Sequence, residues 1–208
     1  MRPNVSNNAA RASFNANRYA NFHRHDVNMR RNTFVRTAPR PYVRAPFVYG
    51  GHRYYAYHPY RYHRYVPFGF SAGFFPFGAF VGALAASAIL VPWADYDYYY
   101  NAGVWYLPAE GGYTVVTAPV GARVTSLPPG ATLIDPATGT YYYGGTYYQR
   151  TSGGYVVVAP QAGTVVESLP EGGEEVTIGG QTYVRIGDTY YQPIQIDGRN
   201  MYEVVEVR

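Results

Sequence analysis

All five histidines of this 208-residue chain lie in its first third, so metal chemistry is looked for there first. The imidazoles of His23 and His25 are spaced so that both could reach one borderline metal ion. A metal site also needs fixed ligand geometry and partners that orient each imidazole, and the surrounding Asn- and Arg-rich sequence provides neither. We therefore predict solvated side chains, with no metal site and no cofactor, for His23, His25, His52, His58 and His63.

The acidic residues do not form a pattern suited to acid–base catalysis. Glu174 and Glu175 are adjacent in a predicted strand, which points the two carboxylates to opposite faces. Asp135 and Asp188 fall in predicted turns, where a short carboxylate caps its own backbone. Residues 68–208 contain no histidine that could activate a serine, and the chain has neither lysine nor cysteine. We therefore predict no catalytic residues and no enzymatic activity.

Arginine and tyrosine alternate just before a long apolar run. Residues 1–67 contain 12 Arg and one acid, a formal charge of +11, whereas residues 94–208 contain five Arg and 12 acids, a charge of −7. Interleaved Arg and Tyr are typical of single-stranded nucleic-acid binders, and the same cations attract anionic lipid headgroups. Because Arg53, Arg61 and Arg64 directly precede the apolar run, we favour the membrane-flanking interpretation and keep nucleic-acid binding as the alternative.

Consecutive tyrosines are the other candidate for binding, since the chain contains 25 of them. Neighbouring residues of a strand point to opposite faces, so each tyrosine pair puts one ring on each side of a sheet. The rings either pack across strands or form an outward stacking surface for a glycan or peptide. The candidate surface contacts are Tyr142, Tyr147, Tyr148, Tyr190 and Tyr191.

A 42-residue repeat must position these tyrosines. The Gly-aromatic segment, the Gly-Gly-Tyr segment and the Ser-Leu-Pro segment of the first unit recur at the same offset, residues 103–106, 111–116 and 126–130 matching 145–148, 153–158 and 168–172. A fixed offset of this length indicates one structural unit used repeatedly. Short β runs separated by Gly-Gly, Gly-Asp and Asp-Gly predict tight hairpins.

The repeat predicts a mainly β domain over residues 98–208, built from short antiparallel strands as a hairpin meander or a small barrel-like arrangement. We place the units at about 103–144 and 145–187, with a partial third unit at 188–208. A single unit of this size buries too little apolar surface to fold alone, so the units are expected to share one core.

Residues 68–93 run for 26 positions without a charge and predict an apolar helix, with its best part at 77–91. A bilayer core of about 30 Å needs about 20 apolar residues, so residues 73–91 just suffice for a transmembrane span. Gly78, Gly82 and Ala86 are spaced by four, which would let such helices associate into an oligomer. The alternatives are a buried helix or the core of a signal peptide, although no apolar run follows Met1.

The first 67 residues predict a disordered arm. They are rich in Arg, Asn, Tyr, His and Pro, and they show no apolar periodicity. Few aliphatic side chains are available there to offset the entropy lost on ordering.

Four segments carry a resemblance to a known family: 141–148 (Tyr-Tyr-Tyr-Gly-Gly-Thr-Tyr-Tyr), 154–160 (Gly-Tyr-Val-Val-Val-Ala-Pro), 168–172 (Ser-Leu-Pro-Glu-Gly) and 189–194 (Thr-Tyr-Tyr-Gln-Pro-Ile). Over residues 50–208 the chain resembles bacterial proteins with an Arg/His/Tyr-rich lead, an apolar segment and a Tyr/Gly β repeat of unknown function. The resemblance implies a membrane or envelope protein and supplies no catalytic residues. Many members of that family begin with a signal peptide, which is not predicted here, so the start site and the orientation stay open.

Taken together, these features predict a non-enzymatic, membrane-anchored protein of the bacterial cell envelope, whose β domain binds or scaffolds outside the cytoplasm. Its expected partners are the lipid bilayer and an envelope glycan or protein. The alternative is a nucleic-acid or anionic-lipid binder acting through the basic arm. Nucleic acid is the less favoured partner because the acidic β domain would repel phosphate.

Overall fold

A computed structural model of the chain describes residues 45–68 and 75–208, and every regular element in these two ranges is a β-strand. The strands are β1 Phe47–Tyr49, β2 His52–Tyr55, β3 Phe80–Val81, β4 Ile89–Trp93, β5 Tyr96–Asn101, β6 Val104–Ala109, β7 Gly112–Val116, β8 Arg123–Val124, β9 Thr132–Asp135, β10 Thr140–Tyr143, β11 Thr146–Thr151, β12 Gly154–Val158, β13 Val165–Val166, β14 Glu174–Ile178, β15 Gln181–Ile186, β16 Thr189–Ile196 and β17 Arg199–Val207.

The strands form three antiparallel sheets, which confirms the predicted β class. The first sheet has the order β3-β7-β6-β5-β4, and the second has the order β8-β12-β11-β10-β9. The third sheet has the order β1-β2-β17-β16-β15-β14, with β13 also paired to β17. Each sheet therefore contains a four-stranded hairpin meander with a short strand added beside its last member, and the third sheet also includes β1 and β2.

The three sheets are three full copies of one unit. In each copy a glycine before the short strand donates its N–H to a valine carbonyl of the last strand: Gly78 to Val115 at 2.9 Å, Gly121 to Val157 at 2.8 Å and Gly163 to Val204 at 2.9 Å. These glycines have φ of 86°, 94° and 84°, which residues with a Cβ rarely adopt. The repeat thus begins near Pro76, earlier than the sequence pattern indicates.

The predicted apolar helix is wrong over residues 75–93, and residues 69–74 lie outside the described part. The segment instead forms the turn at Gly78, then β3, then β4, which pairs with β5 from Ile89↔Tyr100 to Trp93↔Tyr96. The first copy carries Ala83 and Ile89 where both later copies carry polar residues (Ser126 and Ser168, Thr132 and Glu174), so its β pattern reads as one continuous apolar run. Gly78, Gly82 and Ala86 accordingly form no helical stripe, and none of the described residues belongs to a helix long and apolar enough to cross a membrane.

The predicted disordered arm is also wrong for residues 45–67, while residues 1–44, including His23 and His25, lie outside the described part. Strands β1 and β2 form a hairpin, and β2 pairs with the end of β17 through Tyr55↔Glu206 and Tyr54↔Val207. The ordering comes from aromatic burial, since Tyr54 packs with Tyr183 and Val205 in one cluster. The sequence-based prediction counted aliphatic side chains only. In this segment tyrosine supplies the apolar surface that is buried.

The core lies between the sheets. Tyr142 and Tyr147 of the second sheet form one buried cluster with Tyr191 and Tyr202 of the third. The first sheet meets the second through Trp105, whose indole N–H donates to the Tyr148 hydroxyl of the second sheet. The β1–β2 hairpin covers the opposite side of the third sheet, so both faces of that sheet are in contact with other parts of the chain.

Candidate functional site

The tyrosines predicted to face outward are not at the surface. Tyr142, Tyr147, Tyr148 and Tyr191 are all less than 5% exposed, and Tyr190 is half-buried against Tyr54. The prediction that consecutive rings point to opposite faces holds, but both faces of the middle sheet are covered by its neighbours. A stacking surface built from these five residues is therefore excluded.

These tyrosines connect one repeat to the next through hydrogen bonds. The Trp105 indole N–H donates to the Tyr148 hydroxyl at 3.1 Å across the first interface, and the Tyr147 and Tyr191 hydroxyls lie 3.2 Å apart across the second. Trp105 and Tyr147 occupy equivalent positions in their copies, 42 residues apart. The two interfaces are thus bridged at equivalent positions, by an indole N–H in the first and by a phenol hydroxyl in the second.

A second bond recurs at the same offset. The Tyr100 hydroxyl donates to the Ser126 carbonyl at 3.3 Å, and the Tyr142 hydroxyl donates to the Ser168 carbonyl at 2.9 Å. Burial raises the pKa of Tyr100 to about 12, and it raises the pKa of Tyr142 and of Tyr147 well above the ordinary value. These tyrosines remain neutral and hold the repeats together.

Residues 57–68, hereafter the strap, follow the β1–β2 hairpin and run across the third sheet. The Arg61 N–H donates to Pro193 O at 3.0 Å, and the Phe68 N–H donates to Leu169 O at 2.9 Å. Between these bonds, His63 Nε2 lies 2.9 Å from Met201 O, and the Tyr65 N–H donates to Glu175 at 2.8 Å. The strap is therefore fixed along its length by contacts to four parts of the third repeat.

A fully buried carboxylate fixes the beginning of the strap. Glu203 on β17 accepts the N–H groups of Tyr57 at 2.5 Å and His58 at 2.9 Å, and His58 Nδ1 lies 3.3 Å from its Oε2. Gln192 on the neighbouring strand donates to the His58 carbonyl at 2.9 Å. His58 is thus a structural partner and not the solvated side chain that the sequence predicted.

The Glu203–His58 contact was missed because the two residues are 145 positions apart. One signal was available: Glu203 is the one charged residue in the otherwise apolar run Tyr202–Val205, which the structure buries throughout. A carboxylate inside a buried run needs donors that desolvate with it. Only the fold shows that the strap's backbone supplies them.

The outward side of the strap combines cations with large apolar side chains. Arg61 and Arg64 are exposed, as are Tyr62, Val66 and Phe68. Within the described ranges, none of the ion pairs involves Arg53, Arg61 or Arg64. The prediction that these three arginines flank a membrane helix is not met, because β-structure follows them, but their charges do face solvent.

The acidic residues have local structural roles. Asp135 accepts the Ala137 N–H at 3.0 Å and the Thr138 hydroxyl at 2.8 Å, which confirms the predicted turn cap. Glu174 pairs with Arg185 at 2.6 Å, whereas its neighbour Glu175 binds the strap. Among residues 45–68 and 75–208, no group of three His, Asp or Glu is placed so that it could hold a metal ion.

The fold and this surface define an all-β repeat protein with three packed sheets and a basic N-terminal strap. The chain belongs to DUF6515, a family of unknown function, whose model matches residues 32–208. The match spans the strap and all three sheets, and it confirms the sequence-level resemblance to a domain of unknown function. No curated protein and no solved structure matches the chain.

Proposed function

We propose that this chain is a non-enzymatic protein of the bacterial cell envelope, in which the three-sheet domain is a rigid scaffold outside the cytoplasm and the strap is its binding element. The single observation that supports this division is the contrast between the enclosed tyrosines of the sheets and the exposed Tyr62 of the strap. In the sheets the phenols bond between repeats, as in the pair Tyr147 and Tyr191. In the strap Tyr62 points away from the sheet, between Arg61 and Arg64.

A structural role also accounts for the groups that could otherwise suggest catalysis. The most enclosed carboxylate, Glu203, receives two backbone N–H groups and lies beside His58. Such a carboxylate–imidazole pair can serve a general base, but here its donors are the backbone of the strap. Its removal is expected to release the strap rather than to end a reaction.

The envelope assignment is tested by fractionating cells that express the full chain. We expect the protein in the envelope fraction, and we expect proteinase K added to intact spheroplasts to cut the exposed turn at residues 135–139. Recovery in the cytosol, with the turn protected until the cells are lysed, would contradict the proposal. A cytoplasmic protein engineered with the same cleavable turn serves as the control for leakage.

A further inference from the structure

The structure of the strap points to a membrane-surface site that needs no transmembrane helix. We propose that residues 61–68 bind the surface of a bilayer that contains anionic lipids, with the arginines on the headgroups and the apolar side chains at the level of the acyl boundary. The proposal rests on the proposed envelope location and names the partner of its binding element.

The exposure pattern is the first observation. Tyr62, Val66 and Phe68 are 56%, 67% and 58% exposed, so three large apolar side chains meet water within seven residues. Such side chains are costly to leave in water, and clustered exposure of this kind indicates a binding surface. Tyrosine and phenylalanine are side chains that favour the membrane interface.

The alternation of the strap is the second observation. His63 and Tyr65 point toward the third sheet, where the His63 ring lies 4.9 Å from the Tyr202 ring and the Tyr65 hydroxyl donates to Pro170 O. The residues that alternate with them, Tyr62, Arg64 and Val66, are therefore turned outward together. Their orientation is set before any partner arrives, which lowers the entropy lost on binding.

Charge selects the kind of bilayer. The strap contributes Arg61 and Arg64, and residues 45–68 contain no acid. Each arginine near an anionic membrane surface strengthens binding by roughly fivefold, and the effect weakens with added salt. Glu175 accepts the Tyr65 N–H, and none of the ion pairs among residues 45–68 and 75–208 involves Arg61 or Arg64.

A bilayer fits the surface better than a nucleic acid does. Nucleic-acid recognition uses cations and stacked rings, which would account for Arg61, Tyr62 and Arg64. It gives no role to Val66, the most exposed apolar side chain of the strap, because aliphatic surface gains little from phosphate or base edges. Preferential binding of single-stranded DNA would therefore count against the proposal.

The test uses the full chain and sedimentation with vesicles of phosphatidylcholine alone or mixed with phosphatidylglycerol. We expect binding to the mixed vesicles only, reduced by roughly fivefold per arginine in the double variant Arg61→Gln/Arg64→Gln. The variant Val66→Ser/Phe68→Ser should bind the mixed vesicles much more weakly, and the binding that remains should be abolished by salt. The matched controls Arg199→Gln and Val48→Ser remove an exposed arginine and an exposed valine elsewhere, and should bind like the parent chain.

Phe68→Trp provides a local readout, because an indole entering the acyl boundary shifts its emission to shorter wavelength. Equal binding of the two strap double variants and the two control variants would show that residues 1–44 carry the interaction, and the proposal would be wrong. Retained binding in Val66→Ser/Phe68→Ser, or preference for single-stranded DNA over the mixed vesicles, would also overturn it. Failure to bind any vesicle, together with recovery in the envelope fraction, would reject this site while leaving the envelope scaffold intact.

Discussion

At the scale of single residues, tyrosine takes the place that aliphatic side chains hold in most cores. A tyrosine contributes a large apolar ring to packing and a hydroxyl that must find a partner when it is buried. The pairs Trp105–Tyr148 and Tyr147–Tyr191 satisfy these groups across successive interfaces. Tyrosine therefore supplies both the apolar surface that is buried and the hydrogen bonds that align one sheet with the next.

Glu203 is the residue on which the strap depends most. Replacing it in Glu203→Ala leaves the N–H groups of Tyr57 and His58 without their acceptor, and each unsatisfied buried donor costs about 1–3 kcal/mol. We expect lower resistance to urea and faster tryptic cleavage after Arg61 and Arg64. Glu203→Gln keeps one acceptor oxygen and should lose less.

The control for this experiment is Glu167→Ala, which removes an exposed carboxylate paired with Arg199 on the same repeat. Exposed pairs contribute about 0–1 kcal/mol, so little change is expected. If Glu203→Ala and Glu167→Ala were cleaved in the strap at the same rate, Glu203 would not be its anchor.

At the scale of elements, the hairpins after residue 98 could be predicted because their turns carry Gly and their strands carry Tyr, Val and Thr. The first copy of the repeat could not, since β3 and β4 are as apolar as a membrane helix and only their partners reveal them as strands. The β1–β2 hairpin and the strap were missed for another reason. The contacts that hold them against the third sheet join residues more than 100 positions apart, and no local pattern records such pairing, although the Gly50-Gly51 turn of the hairpin was a local signal.

The turn between β5 and β6 tests how closely the sheets pack. A Cβ at Gly103 would lie 2.3 Å from the Tyr143 ring, whereas a Cβ at Gly111, in the next turn, would meet nothing within 4 Å. Both glycines have positive φ, so either change to Ala costs about 1–2 kcal/mol in backbone strain. Gly103→Ala should cost an additional 1–3 kcal/mol or so by overpacking.

The difference between these two variants in urea unfolding isolates the contact between the first and second sheets. Gly111→Ala supplies the strain without the collision, and it is therefore the matched control. Equal destabilisation of the two variants would mean that the Tyr143 ring moves aside freely, and that this interface is loosely packed.

At the scale of the whole molecule, the described sheets share their cores, so they should unfold together. The second and third sheets contribute jointly to one cluster, and the Trp105–Tyr148 bond links the first sheet to the second. Repeat proteins depend on such interfaces between neighbours, because no single repeat is stable alone. The β1–β2 hairpin covers the third sheet in the position where a further sheet would otherwise pack.

Alkaline pH should destabilise the whole domain. Burial raises the pKa of Tyr100 to about 12 in the folded chain, against about 10 when the chain is unfolded. The stability that depends on the neutral phenol is therefore present below about pH 10 and is lost as the pH rises toward about 12. For Tyr100 alone, this loss amounts to on the order of 2–3 kcal/mol.

Urea unfolding followed across this alkaline range, together with the absorbance of phenolate, measures the effect. The exposed tyrosines should ionise first, and the enclosed ones should ionise only as the domain unfolds. Ionisation of all the phenols in one step near their ordinary pKa, with no loss of stability, would be inconsistent with the enclosed aromatic interfaces.

The apolar segment is the first copy of the β repeat, and cysteine pairing tests this assignment most directly because the chain has no cysteine of its own. Phe80 and Thr114 are cross-strand partners in the first sheet, as Arg123 and Val156 are in the second. Directly opposed residues have Cα atoms about 4.5–5.5 Å apart, which a disulfide can bridge. We predict that Phe80→Cys/Thr114→Cys and Arg123→Cys/Val156→Cys both form intramolecular disulfides in the full chain, and that the mismatched Phe80→Cys/Val156→Cys does not. A disulfide in the second pair without one in the first would contradict the three-copy architecture.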